Sequence, residues 1–124
     1  MDDLERDIQQ EYEKDLEHYS QFFKALSEPL RIRLLHLLSQ KESLCVCELV
    51  AVLKVGQSQV SRHLAYLKAA NLVTAYRKGA WMHYQISPNA LLGINELVFK
   101  RLCAQFAQTQ ADAEALQLKV QCEV

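Results

Sequence analysis

Two of the four cysteines in this 124-residue chain are separated by a single residue. Cys45 and Cys47 lie in the stretch SLCVCEL, residues 43–49. Thiolates are the ligands preferred by soft metal ions. On a helix, residues i and i+2 point about 200° apart, whereas on an extended chain they share one side. We therefore expect Cys45 and Cys47 to bind one ion together only where the chain is extended or unwound, as at the first turn of a helix. A helix N-terminus also favours the thiolate.

The N-terminal stretch MDDLERDIQQEYEKDLEHYS is acidic and lacks the apolar segment of a secretory signal. No apolar run approaches the roughly 18 residues that span a membrane. We expect a cytoplasmic protein with no membrane segment. Cysteines are kept as thiols in that compartment, so the four are expected to be ligands, sensors or core residues rather than a disulfide framework.

The net charge of −1 conceals a segregation of charge along the chain. Residues 1–48 carry a balance of −5, whereas residues 49–95 contain five basic residues and no acidic residue. A long acid-free stretch is typical of a surface that phosphates approach. The middle of the chain is therefore expected to face a polyanion.

The elements that position these groups can be predicted from periodicity. Apolar residues at steps of three and four from 4 to 26 predict a long amphipathic first helix. Ser27 is expected to cap a second helix, which has Pro29 in its first turn and ends near Ser39. Residues 47–54 and 58–71 predict two further helices, joined by a turn around Gly56. Helix, four-residue turn, helix is the pattern of a helix-turn-helix.

The period then changes from 3.6 to 2. LVTAYR and AWMHYQI flank Lys78-Gly79, which predicts a β-hairpin. Pro88 is expected to begin a last helix that runs to about Ala107 with Leu91, Ile94, Val98 and Leu102 on its apolar face. The Ala/Gln-rich tail after Thr109 is expected to be a frayed helical extension.

We therefore predict one mainly α domain with a β-hairpin wing, in the order α-α-α-α-β-β-α, a winged helix-turn-helix. Its parts are a first helix over 1–26, the helix-turn-helix over 47–71, the wing over 72–86, a last helix over 88–107 and a tail over 108–124.

Residues at the start of a recognition helix meet base edges in the major groove. Gln can pair with adenine and Arg with guanine, while Ser suits a base or a phosphate. The basic hairpin tip suits phosphates or a minor groove. The alternative to DNA contact, for each of these residues taken alone, is that it belongs to a solvated polar face. For His63 the alternative is a structural role. The predicted DNA-contacting residues are Gln57, Ser58, Gln59, Ser61, Arg62, His63, Arg77 and Lys78.

Four stretches together resemble the ArsR/SmtB family of ligand-responsive repressors: FKALSEPLRIRLLHLL, LCVCELVAVL, GQSQVSRHLAYLKAANLV and RKGAWMHYQI, within residues 22–86. LCVCEL is similar to the arsenical-resistance branch. The resemblance implies a homodimer through the first and last helices, and binding to palindromic double-stranded operator DNA that ends when a ligand binds. One departure is local, since the family usually has Gly, then Ser, where this chain has Lys54 and Gly56.

The resemblance also implies an inducer, As(III) or Sb(III), held by Cys45 and Cys47. The arsenical branch often has a third thiolate three residues after the second, and that position is Val50 here. Cys103 or Cys122, within or across subunits, is one alternative for the third ligand. A solvent molecule or a small thiol is another.

Other branches of the family use residues that this chain lacks. The cadmium/lead branch adds cysteines in an N-terminal arm, which has none here, so Cd(II) or Pb(II) is the less favoured alternative. The sulfide- and persulfide-sensing branch uses a cysteine in the second helix, and residues 28–39 contain none. The family's zinc site needs His and acids on the last helix, but residues 88–108 hold only Glu96.

Oxidation is a further alternative for the cysteine pair. A disulfide between residues i and i+2 is expected to be strained, so Cys45 or Cys47 would pair with Cys103 or Cys122. A thiol oxidoreductase would rest on C-x-C alone, because the chain has no C-x-x-C, glycine-rich phosphate loop or His/carboxylate cluster. A protein–protein module would not need the acid-free surface. The residues and the family resemblance together therefore predict a protein that is not an enzyme, and the resemblance implies a repressor that releases its operator when a metalloid ion binds.

Overall fold

The computed structural model describes residues 2–88 and 96–118. Helices α1 to α6 span Asp3–Ala25, Pro29–Gln40, Val46–Leu53, Gln57–Ala69, Glu96–Cys103 and Ala107–Leu118. Strands β1 to β3 span Leu44–Cys45, Val73–Lys78 and Trp81–Ile86. The predicted winged helix-turn-helix is confirmed, with α3 and α4 as the helix pair and β2 and β3 as the wing.

Helix α2 lies at the centre of the fold. Its leucines from Leu34 to Leu38 are buried together with His36 and Ser39, so side chains on most of its circumference are covered. A helix that is apolar on most sides must be surrounded, and α2 packs against α4, α5, α6 and β3. The remaining elements of the core are therefore arranged around α2.

Helix α1 contributes little to this core. Phe22 and Ala25 near its end are buried. Its predicted apolar stripe is instead largely exposed, at Leu4, Ile8, Leu16, Tyr19 and Phe23. The Ser27 hydroxyl donates to the Lys24 carbonyl at 2.6 Å, so Ser27 closes α1. The prediction that Ser27 caps α2 is wrong, because Glu28 is the N-cap of α2 and its side chain makes no capping bond.

The turn between α3 and α4 depends on two backbone conformations. Lys54 ends α3 in the left-handed region at φ 56°, and its N–H donates to the Val50 carbonyl at 2.9 Å. Gly56 precedes α4 as its N-cap with φ −58° and ψ 145°. Val60, Leu64 and Leu67 of α4 then face the core, which leaves the opposite side of the helix exposed.

The wing is part of a three-stranded antiparallel sheet in the order β1-β3-β2. Gly79 turns the hairpin at φ 62°, and Lys78 pairs with Trp81 across it. On the other side of β3, Leu44 pairs with Tyr84 and Cys45 with His83. The strand β1 was not predicted, and it joins the first cysteine directly to the wing.

The C-terminal part differs from the sequence prediction. A single helix to about residue 107 is wrong, since α5 ends at Cys103 and α6 begins at Ala107. The Thr109 hydroxyl bonds to the carbonyls of Cys103 and Phe106, which fixes the break between the helices. The expected extension after Thr109 is helical, as predicted, over the described residues to Leu118, but it is not frayed there, because α6 packs on α2 and α3. Leu91, Ile94 and the tail beyond residue 118 lie outside the described residues.

In the described part of the chain, no helix is both long enough and apolar enough to span a membrane.

Candidate functional site

Cys45 and Cys47 meet at the junction of β1 and α3. Cys45 is the last residue of β1 and the N-cap of α3, with the extended conformation φ −82° and ψ 160°. Cys47 lies in the first turn of α3. Their Cα atoms are 5.4 Å apart, and their Sγ atoms are joined as a disulfide. The extended backbone at Cys45 is what allows residues i and i+2 to bring their sulfurs to one point.

The start of α3 gives this pair a polar setting. The Cys45 N–H donates to Glu48 Oε1 at 3.2 Å, and the Glu48 N–H donates to the Cys45 sulfur, so the two residues form a capping box. The helix N-terminus carries partial positive charge, which favours a thiolate in the reduced protein. Cys45 is buried and Cys47 is half-buried. A ligand therefore reaches the pair from the Cys47 side.

The wing sheet connects the pair to the hairpin. Cys45 is opposite His83 on β3, and His83 is opposite Tyr76 on β2. The Tyr76 and His83 rings stack with centroids 5.6 Å apart. The Tyr76 hydroxyl donates to Ser43 Oγ at 2.9 Å, which ties β2 back to the start of β1. Cys45 is thus connected to β3 by strand pairing and to β2 through the Tyr76–His83 stack.

Cys103, the other cysteine in the described part of the chain, lies in the core. Cys103 is fully buried in the core, and burial raises the pKa of its thiol to about 11. Over residues 2–88 and 96–118, no three His, Cys, Asp or Glu side chains come close enough to hold a metal ion together. Cys122 lies outside the described residues.

The first turns of α4 present polar side chains to solvent. Gln57, Ser58, Gln59 and Arg62 are exposed, and Ser61 is half-buried. Arg77 and Lys78 are exposed at the end of β2, beside the hairpin turn. The structure therefore places these predicted DNA-contacting residues on the surface of α4 and of the wing. Helix α4 is the predicted recognition helix and is called the reading helix below.

His63 differs from its neighbours, because its ring faces Arg31 of α2. Arg31 Nη1 lies 3.4 Å from His63 Nδ1. Desolvation first, and then the charges of Arg31 and Arg62, lower the pKa of His63, so the neutral imidazole is favoured. This geometry supports the structural alternative for His63.

Arg31 itself is a residue that sequence reasoning missed. Its guanidinium donates to the carbonyls of Ala25 at 2.9 Å and Lys24 at 3.1 Å, at the end of α1. The same group lies 4.0 Å from the Tyr66 ring centroid on α4. Arg31 therefore connects α1 to the reading helix. No sequence signal exists for such contacts, because the His63 partner is 32 residues away.

Comparison with known proteins identifies the family. A family model described as "Bacterial regulatory protein, arsR family" matches residues 28–75. The arsenical resistance operon repressor of Bacillus subtilis (strain 168) is 37% identical over 91 residues, which are 73% of this chain and 84% of that protein. The chain belongs to the ArsR family.

Solved structures agree with this assignment. Reduced HlyU from Vibrio cholerae matches with a TM-score of 0.65 and 26% identity over 79% of this chain and 98% of that chain. The AntR antimony-specific transcriptional repressor matches with a TM-score of 0.56 and 32% identity over 68% of this chain and 73% of that chain. This ArsR-family protein is a DNA-binding transcriptional repressor, and its relatives are regulators rather than enzymes.

Proposed function

We propose that this repressor is a homodimer whose affinity for operator DNA falls when As(III) or Sb(III) binds to Cys45 and Cys47. The observation that carries the proposal is the meeting of the two sulfurs at the junction of β1 and α3. The names of two similar proteins support it, since one is an arsenical resistance operon repressor and the other is described as antimony-specific. In the reduced protein the two thiolates form a soft-ion ligand pair.

The response to the ion follows from where the pair lies. In the reduced protein the two sulfurs are not bonded to each other, so an ion that binds both fixes their separation and shifts the first turn of α3 against β1. Helix α3 packs on α4, and β1 pairs with β3 of the wing. Helix α4 and the wing, the two proposed DNA-contacting elements, therefore move relative to each other. A dimer must engage two half-sites at once, so it loses much of its affinity for DNA when the recognition helix and wing of each subunit change orientation.

The DNA contacts belong to the exposed residues of α4 and of the wing. Gln57, Ser58, Gln59 and Arg62 are placed to read base edges, with Ser61 at the edge of that surface. Arg77 and Lys78 at the hairpin are placed to contact phosphates. His63 supports the orientation of α4 through Arg31.

We propose that Cys103 of the same subunit does not supply the third position on the ion. That thiol is fully buried in the core, and burial raises its pKa to about 11, which disfavours the thiolate that would bind the ion. We propose two protein thiolates per ion, with the third position taken by a group that the ligand itself brings or by solvent. Cys122 of either subunit is the remaining protein candidate.

The dimer is proposed to form through α1 and α5. Large apolar side chains of α1 are exposed, among them Leu16 at 72% and Phe23 at 60%. Leu102 at the end of α5 is 50% exposed. Helix α6, the last described helix, instead packs on its own chain. Replacing Leu16 and Phe23 by Glu is expected to give monomers, whereas replacing the exposed Gln21 is not. Light scattering after size exclusion measures this.

Oxidation is the second candidate signal, and the Cys45–Cys47 disulfide favours it. The partners differ from the sequence expectation, which paired either cysteine with Cys103 or Cys122. Oxidation of two thiols to one disulfide releases two protons and two electrons to an oxidant. It would alter the same junction as the ion.

Fluorescence anisotropy of a labelled operator separates the candidates. Reduced protein on the operator is titrated in parallel with As(III), Sb(III), Zn(II) and a mild oxidant. The proposal expects release by As(III) or Sb(III), and the second candidate expects release by the oxidant alone. Cys45→Ser and Cys47→Ser should bind DNA and fail to respond, whereas Cys103→Ala should respond like the unaltered protein. Release of the Cys47→Ser variant by As(III) would show that the site is elsewhere.

A further inference from the structure

A cavity of about 540 Å³ lies beside Cys47. Helix α3 contributes Val50 and Ala51 to its walls, the start of α4 contributes Gln57 and Ser61, and the wing contributes Trp81 and Met82. Its volume is within the roughly 300–1,000 Å³ of small-molecule sites, which are mostly apolar with a few polar groups. The cavity is therefore suited to an apolar group of small size.

Val50 connects this cavity with the thiol pair. It occupies the position where a third cysteine would complete C-x-C-x-x-C, and it lines the cavity instead. Trivalent arsenic forms three single bonds, and Cys45 and Cys47 can take two of them. The third substituent on arsenic bound at Cys47 then faces the cavity wall formed by Val50 and Ala51. A hydroxyl there gives up hydrogen bonds to water, whereas a carbon substituent gives up none.

We infer that the preferred inducer is a trivalent organoarsenical, R–As(OH)₂, whose aryl or alkyl group R fills this cavity while Cys45 and Cys47 bind the arsenic. The inference rests on the thiolate site proposed above and names the ligand class for it. Two As–O bonds break and two As–S bonds form. Each thiol proton leaves with a hydroxide as water, so R–As(OH)₂ and two thiols give R–As(SR′)₂ and two waters. Arsenic remains trivalent and no electrons are transferred.

The wing side of the cavity favours an aryl group. Trp81 can stack on or meet the edge of an aromatic ring, and the Met82 thioether makes favourable contacts with ring edges. Trp81 is also the single tryptophan of the chain, so its fluorescence reports on the cavity directly. Gln57 and Ser61 belong to the DNA-contacting surface, so an occupant lies between the reading helix and the wing.

The test compares phenylarsenous acid with inorganic arsenite on the reduced dimer. Binding is followed by Trp81 fluorescence without DNA, and release is followed by operator anisotropy. Burial of the ring is expected to lower the concentration needed for half-saturation by about tenfold or more relative to arsenite. Since the two reagents differ in their intrinsic affinity for thiols, the decisive quantity is how this ratio changes when the cavity is filled.

Ala51→Leu fills the cavity from an exposed helical position, and Ala111→Leu on the exposed face of α6 is the matched control. Ala51→Leu should lower the phenyl-to-arsenite preference about tenfold, because the added side chain displaces a ring far more than a hydroxyl, and Ala111→Leu should leave the preference unchanged. Val50→Cys, which restores a third thiolate, should reverse the preference toward arsenite.

The outcomes separate the two proposals. An equal phenyl-to-arsenite ratio in the unaltered protein and in Ala51→Leu, with arsenite still releasing DNA, overturns the cavity inference alone. If neither arsenical binds to the unaltered protein, the thiolate function itself is wrong. A preference for the phenyl compound that Ala51→Leu abolishes and Ala111→Leu preserves supports both.

Discussion

Arg33 of α2 and Asp112 of α6 form a paired contact across 79 residues of sequence. Arg33 Nε and Nη2 donate to the two carboxylate oxygens at 2.8 and 3.0 Å. The Asp112 side chain is 3% exposed, and that of Arg33 is 21% exposed. The hydrogen bonds from Arg33 to Asp112 raise the pKa of Arg33, which therefore stays charged. Gln108 adds a further bond to Asp112 at 3.0 Å, so the carboxylate is held from two helices.

The first prediction is that Asp112→Ala destabilises the protein by about 2–3 kcal/mol. The substitution leaves a half-buried guanidinium without its partner, which costs more than the pair itself contributes. Urea unfolding measures the loss, and hydrogen exchange should show faster exchange of α6 than of α2. Glu114→Ala on the exposed face of the same helix is the control, expected within about 0.5 kcal/mol of the unaltered protein. Equal effects of the two substitutions would mean that α6 does not depend on this pair.

The Arg33–Asp112 contact marks the limit of what the sequence could predict. Helix, turn, helix and hairpin over residues 47–86 follow from local spacing and from Gly56 and Gly79, so they were recognisable. The break that separates α6 from α5 was not, because it contains no Gly or Pro and depends on the Thr109 hydroxyl. The docking of α6 depends on a charge pair between residues far apart, for which periodicity carries no signal.

The candidate site shows the same division. The need for an extended chain at Cys45 follows from the i, i+2 spacing alone. That β1 would supply this conformation by pairing with β3 could not be foreseen, since a two-residue strand has no period. The burial of Cys103 and the contact of His63 with Arg31 likewise arise from packing between distant elements.

The second prediction concerns the reading helix. Arg62→Ala should weaken operator binding by about tenfold or more, because a bidentate contact to guanine contributes roughly 1–3 kcal/mol of discrimination. Lys68→Ala removes the same charge at the other end of α4 and should cost less. Anisotropy with the operator and with a scrambled duplex measures both. A loss for Arg62→Ala that is the same on both duplexes would indicate a phosphate contact instead.

The third prediction concerns the αL residue that ends α3. A side chain at φ 56° carries a steric cost that glycine avoids, although glycine also gains freedom in the unfolded chain. Lys54→Gly should therefore stabilise the protein by up to about 1 kcal/mol in thermal or urea unfolding. Asn71, at φ 63°, is the matched control. Asparagine tolerates this conformation, so Asn71→Gly should gain less. A destabilised Lys54→Gly variant would show that the Lys54 side chain makes compensating contacts.

The fourth prediction is a stability loss at high pH that depends on Cys103. Burial raises the pKa of this thiol from 9.0 to about 11, so between these values the unfolded chain ionises it and the folded chain does not. The unfolded state then holds fewer protons, and stability falls as pH rises, by up to about 2–3 kcal/mol. The difference between the unaltered protein and Cys103→Ala isolates this contribution from Lys and Tyr titration. A constant difference from pH 8 to 11 would contradict it.

The pairing of β1 with β3 has a consequence for how this repressor can evolve. The strand that ends in Cys45 is hydrogen-bonded to the wing strand β3, so one sheet would serve both detection and recognition in the proposed function. On that proposal, inducer preference and operator preference are expected to evolve together rather than separately. A substitution near Cys45 that adapts the protein to a new toxicant is expected to require readjustment of the wing.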